Sequence, residues 1–162
     1  MRISPYRLSL VVILSVSALA SAKSPQPPFS ITISAEKPEV KAGSEVFIRI
    51  QMKNISDHEV DCSMAPTNGW DAAYQYDVRD AQGTLAERKP LVPGHPEIKE
   101  DSSIWPCVLK PGGSNSFDSY IGRRNDMTRP GKYMIQVSRF ISGTRKEDGV
   151  VKSNTITVTV VP

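Results

Sequence analysis

From Phe29 onward, apolar residues return at every second position in short runs. Phe29, Ile31, Ile33 and Ala35 share one face, and Ser30, Thr32 and Ser34 the other. Val46, Ile48, Ile50 and Met52 alternate in the same way with Glu45, Phe47, Arg49, Gln51 and Lys53. A period of two describes a strand with one dry and one wet face, whereas helical spacing would set Arg49 and Lys53 among the apolar residues. The pattern recurs around Val60, Cys62 and Met64, through Tyr74, Tyr76 and Val78, and over Ser114–Ile121 with Phe117. It recurs again where Tyr133, Ile135 and Val137 alternate with Met134, Gln136 and Ser138, and where Ile156, Val158 and Val160 alternate with Thr155, Thr157 and Thr159.

Turn chemistry separates these runs. Glu36-Lys37-Pro38 and Ala42-Gly43-Ser44 end the first, Asn54-Ile55-Ser56-Asp57 the second, and Lys110-Pro111-Gly112-Gly113 precedes Ser114. Asp80-Ala81-Gln82-Gly83 reads as a hairpin turn with Thr84–Arg88 returning as a strand. Ala65–Asp71 reads as a polar loop, Ile104–Leu109 as a strand, and Ser142–Gly149 as a charged tip. About eight short strands with no three-turn amphipathic helix predict an all-β, antiparallel sandwich. Lys89–Ser103 carries three prolines without periodicity, and loops of that length in compact domains tend to be functional or mobile.

The first 22 residues follow a different rule. Arg2 and Arg7 precede an apolar run, Leu8–Ala20, and Ala20-Ser21-Ala22 is a small-x-small cleavage site. The run falls short of the roughly 20 residues a membrane-spanning helix needs. Residues 1–22 are therefore expected to be a cleaved signal peptide, 23–28 a Pro-rich tether, and 29–162 a single domain, secreted or periplasmic and without stable membrane insertion.

Charge narrows the partners. The chain holds 20 basic and 17 acidic residues, and losing Arg2 and Arg7 leaves 18 against 17. Such a balance creates no long-range field, so nucleic acid is not an expected partner. A monomer engaging a protein or a glycan is expected instead.

Cys62 and Cys107 are the two cysteines, and in an oxidising compartment an even count reads as a disulfide. The alternative is a metal site of Cys62, Cys107, His58 and His95, but structural zinc ligands usually come in close pairs and these do not. A blue-copper site would need His and Cys near the last strands, where neither occurs. Catalytic residues, metal and cofactor are all expected to be absent. Asp57-His58 reads as a turn dipeptide, and no G-x-S-x-G, H-E-x-x-H or phosphate-cradling loop is present. Trp70, Trp105 and Tyr74 are the candidate contact residues, since aromatic side chains give large contact area at low entropic cost. Of these, Trp70 is expected on the surface, whereas Tyr74, Trp105 and also Tyr76 are expected to fill the core. Arg123-Arg124 and Arg145-Lys146 read as solvated loop charge, and Asn54-Ile55-Ser56, though it fits a glycosylation pattern, as a turn.

The motifs V-K-A-G-S (40–44), K-N-I-S-D (53–57), Y-D-V-R-D-A-Q-G (76–83), L-K-P-G (109–112), P-G-K-Y-M-I-Q-V (130–137) and S-N-T-I-T-V-T-V (153–160) together resemble bacterial secreted immunoglobulin-like domains. They are distantly similar to the intracellular proteinase-inhibitor-like fold. The resemblance covers nearly all of Phe29–Val161 and implies an immunoglobulin-like sandwich. It also implies that Gly131-Lys132-Tyr133 is a tyrosine corner, with the Tyr133 hydroxyl bonding back to the backbone near Asp126 and Thr128. Ile135 stands where antibody domains carry their second cysteine. Three functions follow as expectations. They are an exported binding or accessory module using loops or a sheet edge, a secreted protease-inhibitor-like protein using 89–103, and a metal protein or enzyme, ranked in that order.

Overall fold

The computed structural model describes residues 26–63, 66–67, 70–71, 73–89, 105–123, 125–141 and 149–162; side chains at 66–67, 70–71 and 123 are excepted. These residues form an all-β, immunoglobulin-like sandwich of mostly antiparallel strands closed by one disulfide. The strands are β1 (Phe29–Ala35), β2 (Glu39–Lys41), β3 (Phe47–Asn54), β4 (Val60–Asp61), β5 (Pro66–Thr67) and β6 (Trp70–Asp71), followed by β7 (Tyr74–Arg79), β8 (Val108–Leu109), β9 (Ser114–Tyr120), β10 (Gly131–Phe140), β11 (Val150–Lys152) and β12 (Ile156–Val161). The one helical element among the described residues is a 3₁₀ turn, Ile121–Arg123. No helix among them is long and apolar enough to cross a membrane.

One sheet runs β1-β3-β9. Phe29 pairs with Asn54 and Ala35 with Ile48, while Phe47 pairs with Tyr120 and Lys53 with Ser114. In the other, β10 holds β7 along one edge and β11 and β12 along the other, with β2 added beyond β12. The chain's first extended segment is thus shared between sheets. β1 pairs antiparallel with β3, then the turn at Glu36-Lys37-Pro38 carries β2 across to lie parallel to β12. Ile31 and Ile33 of β1, Ile48, Ile50 and Met52 of β3, Val78 of β7, Ile135 and Val137 of β10, and Val158 and Val160 of β12 meet between the layers. Fully burying one such side chain is worth about 1.5–3 kcal/mol, which is why register is fixed: a slip of one residue would turn each set to water.

The structure departs from the sequence expectation at the short elements. β2 lies inside what reads as a turn, because three residues with one apolar member (Val40) carry no period. Thr84–Arg88 is not a strand. After the expected turn, where the Gly83 amide donates to the Asp80 carbonyl at 3.0 Å and Gly83 takes φ 82°, the segment makes isolated bridges Arg79–Leu85 and Arg88–Asn125. The Ala65–Asp71 loop contains the β5–β6 pair, and of the strands expected around Val60–Met64 and Ile104–Leu109 the described residues show Val60–Asp61 and Val108–Leu109, Met64 and Ile104 lying outside them. β11 precedes the final strand, separated from β12 by a break at Ser153–Thr155. At that break the Ser153 hydroxyl accepts the Val137 amide at 3.0 Å, keeping β10 satisfied where the ladder fails.

Cys62 and Cys107 are bonded, with Cα atoms 4.9 Å apart, and the Cys62 amide donates to the Cys107 carbonyl at 2.9 Å. The bridge extends the β4–β8 pair and not the two-sheet seam. Most of segment 89–103 and residues 1–25 lie outside the described residues.

Candidate functional site

The outward positions of β7, β10 and β11 form one surface, because their registers align. Gln75 stands opposite Ser138, which stands opposite Lys152; Asp77 stands opposite Gln136, and Arg79 opposite Met134. The segment after the Asp80–Gly83 turn walls one side through Leu85 and Arg88, and Asn125 is bridged to Arg88. Together these residues, Met134 excepted, and Val150 line an open groove of about 780 Å³.

Its polar groups are partly engaged. Arg79 lies in two-point contact with Asp77, Nε to Oδ1 at 2.7 Å and Nη2 to Oδ2 at 3.0 Å, and its Nη1 donates to the Gly83 carbonyl at 3.0 Å. The Asp77 carboxylate raises the Arg79 pKa further above its ordinary value. Gln136 donates through Nε2 to the Ser153 carbonyl at 3.1 Å, which leaves its oxygen as an acceptor. Arg88 and Lys152 are exposed and enter none of the ion pairs among the described residues. Leu85, 59% exposed, and Val150 supply aliphatic surface beside them.

The residues singled out in the sequence fall elsewhere. Tyr74 is 3% exposed: its ring packs 5.4 Å from Phe117, its hydroxyl donates to Met52 Sδ at 3.8 Å, and the Arg139 guanidinium sits 5.1 Å from its centroid. It is a core residue that offers no ring to a ligand. Tyr76 turns inward as well, its hydroxyl 3.0 Å from Ser119 Oγ. Trp105 corrects the expectation of a buried ring, for it is 56% exposed beside the disulfide. Trp70 lies in β6, and its side chain is outside the described residues. Tyr133 donates its hydroxyl to the Arg129 carbonyl at 3.0 Å, and Gly131 opens the same strand. His58 Nδ1 lies 3.1 Å from Asp57 Oδ1 with both side chains largely exposed, and this contact lowers the Asp57 pKa. His95 is outside the described residues. Because the two sulfurs are bonded to each other, the four-ligand metal alternative lacks its thiolates.

Among the buried polar residues are Arg139, which the sequence reading passed over, and Asn54, which it placed only in a turn. Arg139 is buried at the inward parity set by Tyr133, Ile135 and Val137, and its Nη2 donates to the Ser63 carbonyl at 2.9 Å. Nearby, Ser63 lowers the Asp61 pKa by hydrogen bonding, its amide donating to Asp61 Oδ1 at 2.8 Å. Asn54, fully buried, donates to the carbonyls of His58 (2.7 Å) and Leu109 (2.8 Å) and accepts from the Ser56 amide and hydroxyl (2.9 and 2.8 Å). Its carboxamide is spent on joining the turn to β8.

No protein-family model matches the chain, and no curated protein does. Among solved structures it is similar to the CARDB domain of the PF1109 protein from Pyrococcus furiosus, crystallised in complex with di-metal ions. That match is 14% identical, covers 91% of this chain and 100% of that one, and has a TM-score of 0.45. The solution NMR structure of the same domain is 15% identical over 83% and 95% of the two chains, with a TM-score of 0.44. The ASH/PapD-like domain 7 of human CEP192 is 12% identical over 91% and 93%, with a TM-score of 0.29. These likenesses concern the fold alone.

Proposed function

We propose that the chain is an exported, non-enzymatic binding module whose partner docks on the outer face of β7, β10 and β11. The observation that carries this reading is the groove itself. It joins carboxamides, a hydroxyl, cations and aliphatic side chains in a concavity of about 780 Å³, held on strands whose other face is the core. A site mounted on paired strands is positioned more rigidly than one on loops. Export is supported by the pattern of residues 1–22 and by the disulfide, which persists in oxidising compartments.

The test is site-specific photocrosslinking in the producing cell. A photoreactive amino acid at Gln75 or Ser138 is expected to give a discrete adduct in the exported fraction. The same group at Gln51, on the outer face of the other sheet, is expected to give none. Adducts of equal yield from all three positions, or from none, overturn the reading.

A further inference from the structure

We propose that this groove takes an acidic peptide segment in extended conformation; the inference rests on the docking face just described and names its ligand. The first argument is charge. Three cations, Arg79, Arg88 and Lys152, line the groove against one carboxylate, Asp77. Asp77 is consumed by Arg79, whose three donating nitrogens are all engaged within the groove wall. Among the described residues Arg88 and Lys152 enter no ion pair, in a chain whose total charge after loss of residues 1–22 is close to balanced. They come from opposite flanks. Arg88 follows the segment bridged to β7 through Leu85, and Lys152 lies on β11, which pairs with the far edge of β10. A ligand satisfying both has to span the groove and carry negative charge at more than one point.

The second argument separates a peptide from an acidic polysaccharide. Tyr74 and Tyr76, the aromatic residues of the lining among the described residues, point their rings into the core, so neither offers a sugar ring a stacking platform in the groove. What faces it is suited to a polypeptide. Gln75 presents a carboxamide with both donor and acceptor, and Gln136 an acceptor oxygen, matching the alternating N–H and C=O of an extended backbone. Leu85 and Val150 offer aliphatic surface beside the two cations for apolar side chains of such a segment.

The experiment is fluorescence anisotropy on the purified protein with a labelled ten-residue peptide of alternating Glu and Leu. Its Lys–Leu counterpart and an unlabelled polyuronate serve as comparators. The Glu–Leu peptide is expected to bind saturably and to weaken as salt rises from 50 to 300 mM, and the Lys–Leu peptide is expected not to bind. Arg88→Glu combined with Lys152→Glu should weaken binding at least tenfold, whereas Lys53→Glu, on the outer face of β3, should leave it within twofold. Absence of saturable binding, equal binding of both peptides, or indifference to the double charge reversal overturns the proposal. So does competition by the polyuronate alone, which would assign the groove to a glycan. Photocrosslinks from Gln75 and Ser138 that persist without peptide binding would sink the ligand class and spare the docking face; loss of both would sink both.

Discussion

The side chain of Asn154 pairs with the backbone of Ile33 as another strand would. The Ile33 amide donates to Asn154 Oδ1 at 2.8 Å, and Asn154 Nδ2 donates back to the Ile33 carbonyl at 3.0 Å. Ile33 pairs with Ile50 of β3 on its other side, so these are the groups that β1 would otherwise present on its outer edge. Asn154 can reach them because it sits in the break between β11 and β12, and the contact ties one sheet to the other. It also covers part of an edge that could recruit a foreign strand.

Asn154→Ala opens both bonds at once. Each net hydrogen bond is worth about 0.5–1.5 kcal/mol, so the variant should lose about 1–3 kcal/mol in urea unfolding with an unchanged slope. Asn154→Asp keeps the acceptor and loses the donor, so its loss should be the smaller at low pH, where a protonated carboxyl can donate again. Equal stability of all three proteins would refute the strand-surrogate role.

Asn54 is the deeper case. All four of its hydrogen-bonding capacities are used at zero exposure, joining the Asn54–His58 turn to β8. Asn54→Asp places a carboxylate against the carbonyl oxygens of His58 and Leu109, and burying a charge without a partner costs more than losing a neutral bond. A loss of about 3 kcal/mol or more is expected for Asp, and a smaller one for Ala. Thermal unfolding of the two variants checks the order.

Such residues mark where reading the sequence stops. The long strands were legible because alternation in β1, β3, β10 and β12 follows directly from burying one face against one core. β2 and β5 were not, since two or three residues cannot show a period. The groove was equally hidden. Gln75, Asp77, Gln136, Ser138 and Lys152 read as ordinary wet positions, and only the register of β7, β10 and β11 brings them side by side. Arg139 was legible by parity and overlooked by type: a charged residue at an inward position needs partners, here the Ser63 carbonyl and the Tyr74 ring. Trp105 misled in the opposite sense, because a large apolar residue beside a disulfide reads as core and is in fact exposed.

The Cys62–Cys107 bridge closes a loop of sequence separation 45, worth about 4 kcal/mol in the chain-entropy model. That is a large share of the 5–15 kcal/mol typical of a domain. The double variant Cys62→Ser, Cys107→Ser should shift the urea midpoint down accordingly while keeping a β-type circular dichroism spectrum. Thiol titration of the native protein under denaturation should find no free thiol before reduction and two after. A midpoint that reduction does not move would show that β4 and β8 need no staple.

Tyr133 connects a single hydroxyl to pH. It is buried, it donates to the Arg129 carbonyl across the crossover into β10, and burial, reinforced by the charge of Asp126, raises its pKa above 10.0. The folded state therefore holds the proton longer than the unfolded chain does. The stabilisation is complete below the unfolded value near 10 and is lost as pH climbs through the higher folded value. Tyr133→Phe removes the bond and should cost about 1 kcal/mol at pH 7. Because Phe cannot ionise, the variant escapes the extra alkaline loss, so the gap between the two proteins should narrow above pH 10. Urea midpoints from pH 7 to 11.5 measure this directly. A gap that stays constant with pH would mean that the Tyr133 hydroxyl ionises in the folded state as readily as in the unfolded one, and a gap that widens would mean that it ionises more readily there.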